Sequence, residues 1–218
     1  MTSRRSHTLG LWIIGIALAM CWDRACYLAL RPGGPFATAE ESAAAKAVLE
    51  SHAWYQTFYV LGRLWPWLIV AAAMVLADVG GGSARAARGI RRALFLLAGA
   101  GLGGAATEAA KIVFRRLRPE LTDGYYGFRP LWENFWSGSN LGLPSSHAGV
   151  AFGAAFAMCC IFPRASLVFL AAAIACALSR VLAGAHFLSD VVVGAFIAYW
   201  IVEGMRRATR PRPATARA

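Results

Sequence analysis

Long apolar stretches recur along almost the whole chain, and they constrain its fold more than any other feature. They lie at about 9–22, continuing to about Leu30, and then at 55–78, 93–114, 146–162, 165–182 and 186–204. About 20 apolar residues is what an α-helix needs to cross a bilayer. A helix also satisfies its own backbone polar groups there, which an open strand does not. With 58% hydrophobic and 15% charged residues, the chain is too apolar for an ordinary soluble domain. The expected fold is therefore all-α, an integral membrane bundle of six transmembrane helices forming one domain over 1–204. The first stretch lacks a convincing small-residue cleavage site and reads as a retained anchor. Residues 205–218, with five arginines and two prolines, read as a basic, disordered cytoplasmic tail.

The net charge of +11 comes from 22 basic and 11 acidic residues. Nucleic-acid binding is the usual reading of such a balance. Here, however, the arginines fall between apolar stretches, so loop charge bias explains them and no nucleic-acid partner is expected. The N-terminus, the 79–92 loop, Arg164 and the tail carry most of them and would share the cytoplasmic side. Lys111, Arg115, Arg116 and Arg118 then fall at an outward end, against the charge rule, and an anionic ligand is the simplest reason. The five cysteines lie in apolar stretches without metal-ligand spacing and read as small core residues.

Between the spans, 31–53 reads as a polar connector with a short surface helix. Asp23 and Arg24 are expected near the outer end of the first span or paired with each other. Arg63, in the outer third of the second span, reads as a structural charge near the interface, or as a side chain that snorkels outward. Gly99, Gly101, Gly103, Gly104, Ala105 and Ala106 suit close helix packing. The loop 119–143 is rich in aromatic residues and should sit at the interface, either covering a site or serving as belt anchors.

Three constellations carry chemistry. Lys111, Arg115 and Arg118 recur at i, i+4 and i+7, one helical face, with Pro119 expected to stop the helix. A basic patch meeting lipid headgroups is the ordinary alternative. Glu108 would offset the charge of Lys111. Pro144-Ser145-Ser146-His147 is a helix start whose N–H groups and hydroxyls can cradle phosphate oxygens, with His147 placed to move a proton. Simple capping is the alternative there. Ser179-Arg180-x5-His186-x3-Asp190 offers an anion clamp, a nucleophile or base, and a carboxylate four residues on that can fix the imidazole tautomer. A lone histidine with an acid partner is the plainer reading of that stretch. His186 is expected at or near the start of the last span, after Gly184.

Taken together, Lys111-x6-Arg118-Pro119, Pro144-Ser145-Ser146-His147 and Ser179-Arg180-x5-His186-x3-Asp190 resemble the three-part signature of the type 2 phosphatidic acid phosphatase (PAP2) superfamily. Order, spacings and gaps fit, and the six-span layout extends the likeness to about 9–204. One departure is Ser146, where the family usually has glycine in Pro-Ser-Gly-His; the backbone N–H is kept.

The resemblance implies a helical bundle of the PAP2/haloperoxidase-like type and a bacterial membrane lipid phosphatase of the inner membrane. It implies that His186 attacks phosphorus, that Asp190 orients His186, and that His147 is general acid and then base. Lys111, Arg118 and Arg180, with Ser145 and the N–H groups of Ser146 and His147, would hold the phosphoryl oxygens. No metal site and no cofactor are expected, and the activity should survive chelators. The substrate would be a phospholipid, a polyprenyl diphosphate or a saccharolipid phosphate in the bilayer, met at an extracytoplasmic site. A lipid-to-lipid phosphotransferase would use the same residues. A lipid carrier or scramblase on the same fold would not need an intact His147, His186 and Asp190.

Overall fold

The computed structural model describes residues 2–209. Eight α-helices follow one another: α1 (Thr2–Leu30), α2 (Ala39–Ser51), α3 (Ala53–Val60), α4 (Trp65–Val79), α5 (Ser83–Phe114), α6 (Ser146–Ile161), α7 (Ser166–Leu182) and α8 (Leu188–Ala208). Short 3-10 turns stand at Pro119–Leu121 and Pro163–Ala165. Four helical segments, α1, α5, α7 together with the 3-10 turn before it (Pro163–Leu182), and α8, are long and apolar enough to cross a membrane. The expected second span is broken instead: α3 and α4 meet at 67°, and together they would make a fifth. The 16 residues of α6 are apolar but fewer.

Several boundaries differ from the sequence reading. The glycine-rich 79–92 loop is mostly helix, because α5 starts at Ser83 and only Gly80–Gly82 turn. Its arginines sit on the first turns of α5, where spacing alone did not separate loop from helix. The C-terminal boundary also moves, since α8 runs to Ala208 with Arg206 and Arg207 both paired to Glu203. The rest of the expected tail, 210–218, lies outside the described residues. The surface helix in 31–53 is α2, started by a capping box in which Thr38 and Glu41 bond each other's backbone N–H.

The bundle is centred on α6, which packs against α5, α7 and α8. Its contact with α5 is backbone to backbone and antiparallel. A Cβ on Gly99 would stand 2.7 Å from the Gly153 carbonyl oxygen, and one on Gly149 would stand 2.7 Å from that of Gly103. Glycines on both helices are therefore what allow the approach. Beside this seam, Leu96, Ala100, Ala154 and Ala157 form a buried core with Trp67 and Ala71 of α4. The antiparallel register has one consequence for function: it sets the last turns of α5 beside the first turn of α6.

Candidate active site

At that meeting point, the buried Lys111 donates from Nζ to Glu108 Oε1 at 2.9 Å, one turn earlier in α5. Ser146, the first residue of α6, donates its hydroxyl to the same oxygen. Glu108 thus joins the first and second motifs. Ser145 caps α6 and is fully buried. Its N–H donates to the backbone oxygen of Asp190 at 3.0 Å, joining the second motif to the third. Close packing supports that bond, because a Cβ on Gly194 would meet the Ser145 oxygen at 2.7 Å.

His147 follows in the first turn of α6. Its ring lies 4.6 Å from that of Tyr59 in α3. Arg180, near the end of α7, sits 4.8 Å over the same Tyr59 ring and donates to the Tyr55 hydroxyl. The α3–α4 break therefore has a use. It sets Gly62 directly beneath His147, where a Cβ would stand 2.5 Å from Cδ2. Arg63, exposed in the same break, bonds the Tyr59 hydroxyl at 2.8 Å. His147 lies within charge–charge range of Arg180, His186, Arg63 and Lys111.

His186 is not on a helix with Asp190. It stands in the turn between α7 and α8, which Gly184 opens at φ 66°. Asp190 is in the first turn of α8 and reaches back. Its Oδ2 accepts the Phe187 N–H at 2.8 Å and faces His186 Nδ1 at 3.4 Å, a long contact that falls short of a well-formed hydrogen bond. Nε2 is the ring nitrogen that does not face Asp190. Burial holds the His186 pKa down to about 4, against the opposing pull of Asp190, so the imidazole is neutral at ordinary pH.

Arg118 lies within charge–charge range of His186, and its guanidinium is 3.6 Å from Glu120. Among the described residues, the Nε atoms of Arg118 and Arg180 and Nε2 of His147 are buried without a hydrogen-bond partner. The two guanidinium N–H groups are donors that call for an acceptor. A cavity of about 720 Å³ lies alongside, with Arg31, Lys46, Glu50 and Glu120 in its wall.

The expected basic face at the end of α5 is not formed. The helix stops at Phe114, four residues before Arg118, because Arg115 takes a left-handed turn at φ 54°. Arg115 then points away and donates to the carbonyl oxygens of Arg129, Pro130, Glu133 and Phe135, stapling the 119–143 loop. Beyond it, Arg116 and Leu117 bridge to Phe128 and Leu141. At the loop surface Trp132 and Trp136 are exposed, at 85% and 83%.

Sequence reasoning missed the support behind Asp190. Arg116 is buried and donates to Asp190 Oδ1 at 2.5 Å and to Ser189 Oγ at 2.6 Å. Asp23 of α1 accepts from the Ser189 N–H at 2.7 Å and from Tyr126 at 2.8 Å, and lies 3.7 Å from Arg116. Asp23 is therefore not paired with Arg24, which bonds Tyr125 instead. The signal was present, since a carboxylate within an apolar stretch calls for a partner. Only the fold says which one. Burial and the bond to Asp23 push the Tyr126 phenol up to about 12, so it remains a donor.

An all-helical bundle with apolar spans, holding two histidines and several cations at the ends of its helices, belongs to a recognisable class of membrane protein. The PAP2 superfamily matches residues 92–213, more than half of the chain, and the chain belongs to that superfamily. Over 60 residues it is 43% identical to the lipid A 1-phosphatase of Rhizobium johnstonii. That similarity covers 27% of this chain and 24% of the relative, so the aligned stretch spans about a quarter of that relative's length. No solved structure matches.

Proposed function

We propose that the protein is a membrane lipid phosphatase that hydrolyses a lipid phosphomonoester or diphosphate through a phosphohistidine. The observation that carries this reading is the convergence of His186, His147, Lys111 and Arg180 around Glu108 and Tyr59. Membership of the PAP2 superfamily and the partial likeness to a lipid A phosphatase agree with it.

In this reading α6 is a span in its own right and α3–α4 together form another, giving six. The arginine-bearing ends at the start of α5, Arg164 and the end of α8 face the cytoplasm of a bacterial inner membrane. The site faces outward, beside the exposed aromatic loop, where a lipid headgroup of the outer leaflet can enter.

Neutral His186 attacks phosphorus through Nε2. The bond from phosphorus to the leaving oxygen breaks as the new P–N bond forms, and Asp190 stabilises the positive ring. His147 gives a proton to the leaving oxygen. It then takes one from water as that water attacks the phosphohistidine, which releases phosphate and restores His186. Lys111, Arg118 and Arg180, the Ser145 hydroxyl and the N–H groups of Ser146 and His147 neutralise the three phosphoryl oxygens. Phosphoryl transfer depends mainly on such positioning and charge stabilisation. Cations and a helix start supply it here, and activity is expected to survive EDTA.

The test is phosphate release in detergent from phosphatidic acid, phosphatidylglycerol phosphate, a polyprenyl diphosphate and a saccharolipid phosphate, with and without EDTA. Release from at least one substrate, insensitive to chelator and abolished in His186→Ala, is the expected outcome. A phosphorylated lipid product without free phosphate would assign a phosphotransferase. Lipid movement unchanged in His186→Ala would assign a carrier.

A further inference from the structure

Glu108 is a carboxylate in a site otherwise suited to an anion. Its Oε1 accepts from Lys111 Nζ at 2.9 Å and from the Ser146 hydroxyl. Those are the kinds of donor that a phosphoryl oxygen seeks. The two partners differ in freedom: the Lys111 side chain is 7% exposed and that of Glu108 is 54% exposed. Lysine is fixed, whereas the carboxylate has solvent into which it can turn. The 119–143 loop approaches from the other side, where residue 138 is glycine and a Cβ would stand 2.9 Å from Oε2, so the loop backbone comes close to the carboxylate without a side chain to pin it. Glu108 also lies within charge–charge range of His186.

We propose that Glu108 is a built-in competitor of the substrate's phosphate. In the empty enzyme it occupies Lys111, held by the Ser146 hydroxyl. The incoming phosphate displaces it, and it retakes Lys111 as inorganic phosphate leaves. This rests on the phosphatase reading and adds a positioning residue to it. It also gives the Ser146 departure a role. With glycine at 146 the backbone N–H that faces phosphate would remain, but the second anchor of Glu108 would be lost. Serine at 146 and glutamate at 108 act as a pair that lowers the affinity of the empty site for phosphate and speeds product release.

The experiment is calorimetric titration of inorganic phosphate into the full-length protein in detergent, in a His186→Ala background that prevents turnover. Glu108→Gln keeps the shape and removes the charge. It should bind phosphate about tenfold more tightly, as expected for removing a like charge from a partly buried anion site. Ser146→Gly should bind about threefold more tightly, since it removes one neutral bond to the competitor. With His186 restored, KM and kcat should both fall in Glu108→Gln, a split that a merely structural role does not produce.

Equal or weaker phosphate binding in a folded Glu108→Gln would overturn the proposal and leave Glu108 as a prop for Lys111. Should that variant not fold, Ser146→Gly decides alone, and unchanged or weaker binding there overturns it equally. If no variant binds phosphate and Lys111→Met changes nothing, the anion site itself is refuted, and the phosphatase reading falls with the proposal.

Discussion

Arg116 and Asp190 form a buried ion pair, Nη2 to Oδ1 at 2.5 Å, with the two side chains 2% and 0% exposed. The opposite oxygen of Asp190 faces His186. The imidazole proposed to react thus faces a carboxylate that is itself held from behind, and Asp23 of α1 lies against Arg116 in turn. Arg116→Met leaves Asp190 buried without its guanidinium partner. Breaking a buried pair in this way costs about 3–5 kcal/mol. Thermal unfolding in detergent is expected to show that loss. Asp23→Asn, which keeps the hydrogen-bonding shape, should lose less stability and lower kcat more than it raises KM.

Removing the imidazole at 186 tests the covalent step directly. His186→Ala is expected to lose at least roughly a thousandfold in kcat, as when a member of a unit-acting catalytic group is removed. His147→Ala should behave differently with an aryl phosphate, whose leaving group needs no proton. It should give a burst of phenol followed by slow turnover, with a phosphoenzyme that gel analysis of labelled protein detects. A burst of equal size in the His186 variant would contradict these roles.

The depressed pKa of His186 links stability to pH. In the unfolded chain the imidazole titrates near its ordinary 6.5, and in the folded protein near about 4. Between those values the unfolded state carries a proton that the folded state does not. Stability is therefore full above 6.5 and falls as the pH drops towards 4, by about 1.4 kcal/mol per pH unit for one group. Melting temperatures of the wild type and His186→Asn over that range check this, and the variant should show a shallower slope.

Gly62 is expected to be intolerant of even one methyl group. A Cβ at 62 would stand 2.5 Å from Cδ2 and 2.6 Å from Cβ of His147. The ring has Tyr59 on its flank at 4.6 Å and can only move out of register. Displacing a reacting group by about 1 Å can lower the rate roughly a hundredfold. Gly62→Ala should therefore lose activity on that scale. Gly101→Ala, where nothing lies within 4 Å, should not. Activity measured on both variants gives the comparison.

Arg115→Ala should act on the loop and not on the anion. Arg115 spends its donors on four carbonyl oxygens between Arg129 and Phe135. Its removal takes a donor from each of those carbonyls, and cleavage within 129–137 under limited proteolysis should quicken. Phosphate affinity should change far less than in Arg180→Ala.

The sequence by itself determined the class of fold and the chemistry on offer. Apolar stretches long enough for a bilayer leave helices as the economical solution, and the spacing of Lys111, Arg118, His147, Arg180, His186 and Asp190 supplies the candidates for the proposed chemistry. Gly99 and Gly103 were legible as small residues suited to a close seam, because residue size is a local property. Their partners Gly149 and Gly153 were not singled out, and Gly101, read the same way, faces no described neighbour. Tertiary structure decided what depends on partners distant in the chain. Spacing made Arg115 look like an anion ligand, yet a left-handed turn at that residue ends the helix and sends it into the loop. Arg116, grouped in the sequence with the other cations expected to meet an anionic ligand, becomes instead the support of Asp190 because α1 brings Asp23 to the same buried place. A charged side chain shows in the sequence that it needs a partner when buried, but which partner it finds is fixed only when helices far apart in the chain pack together.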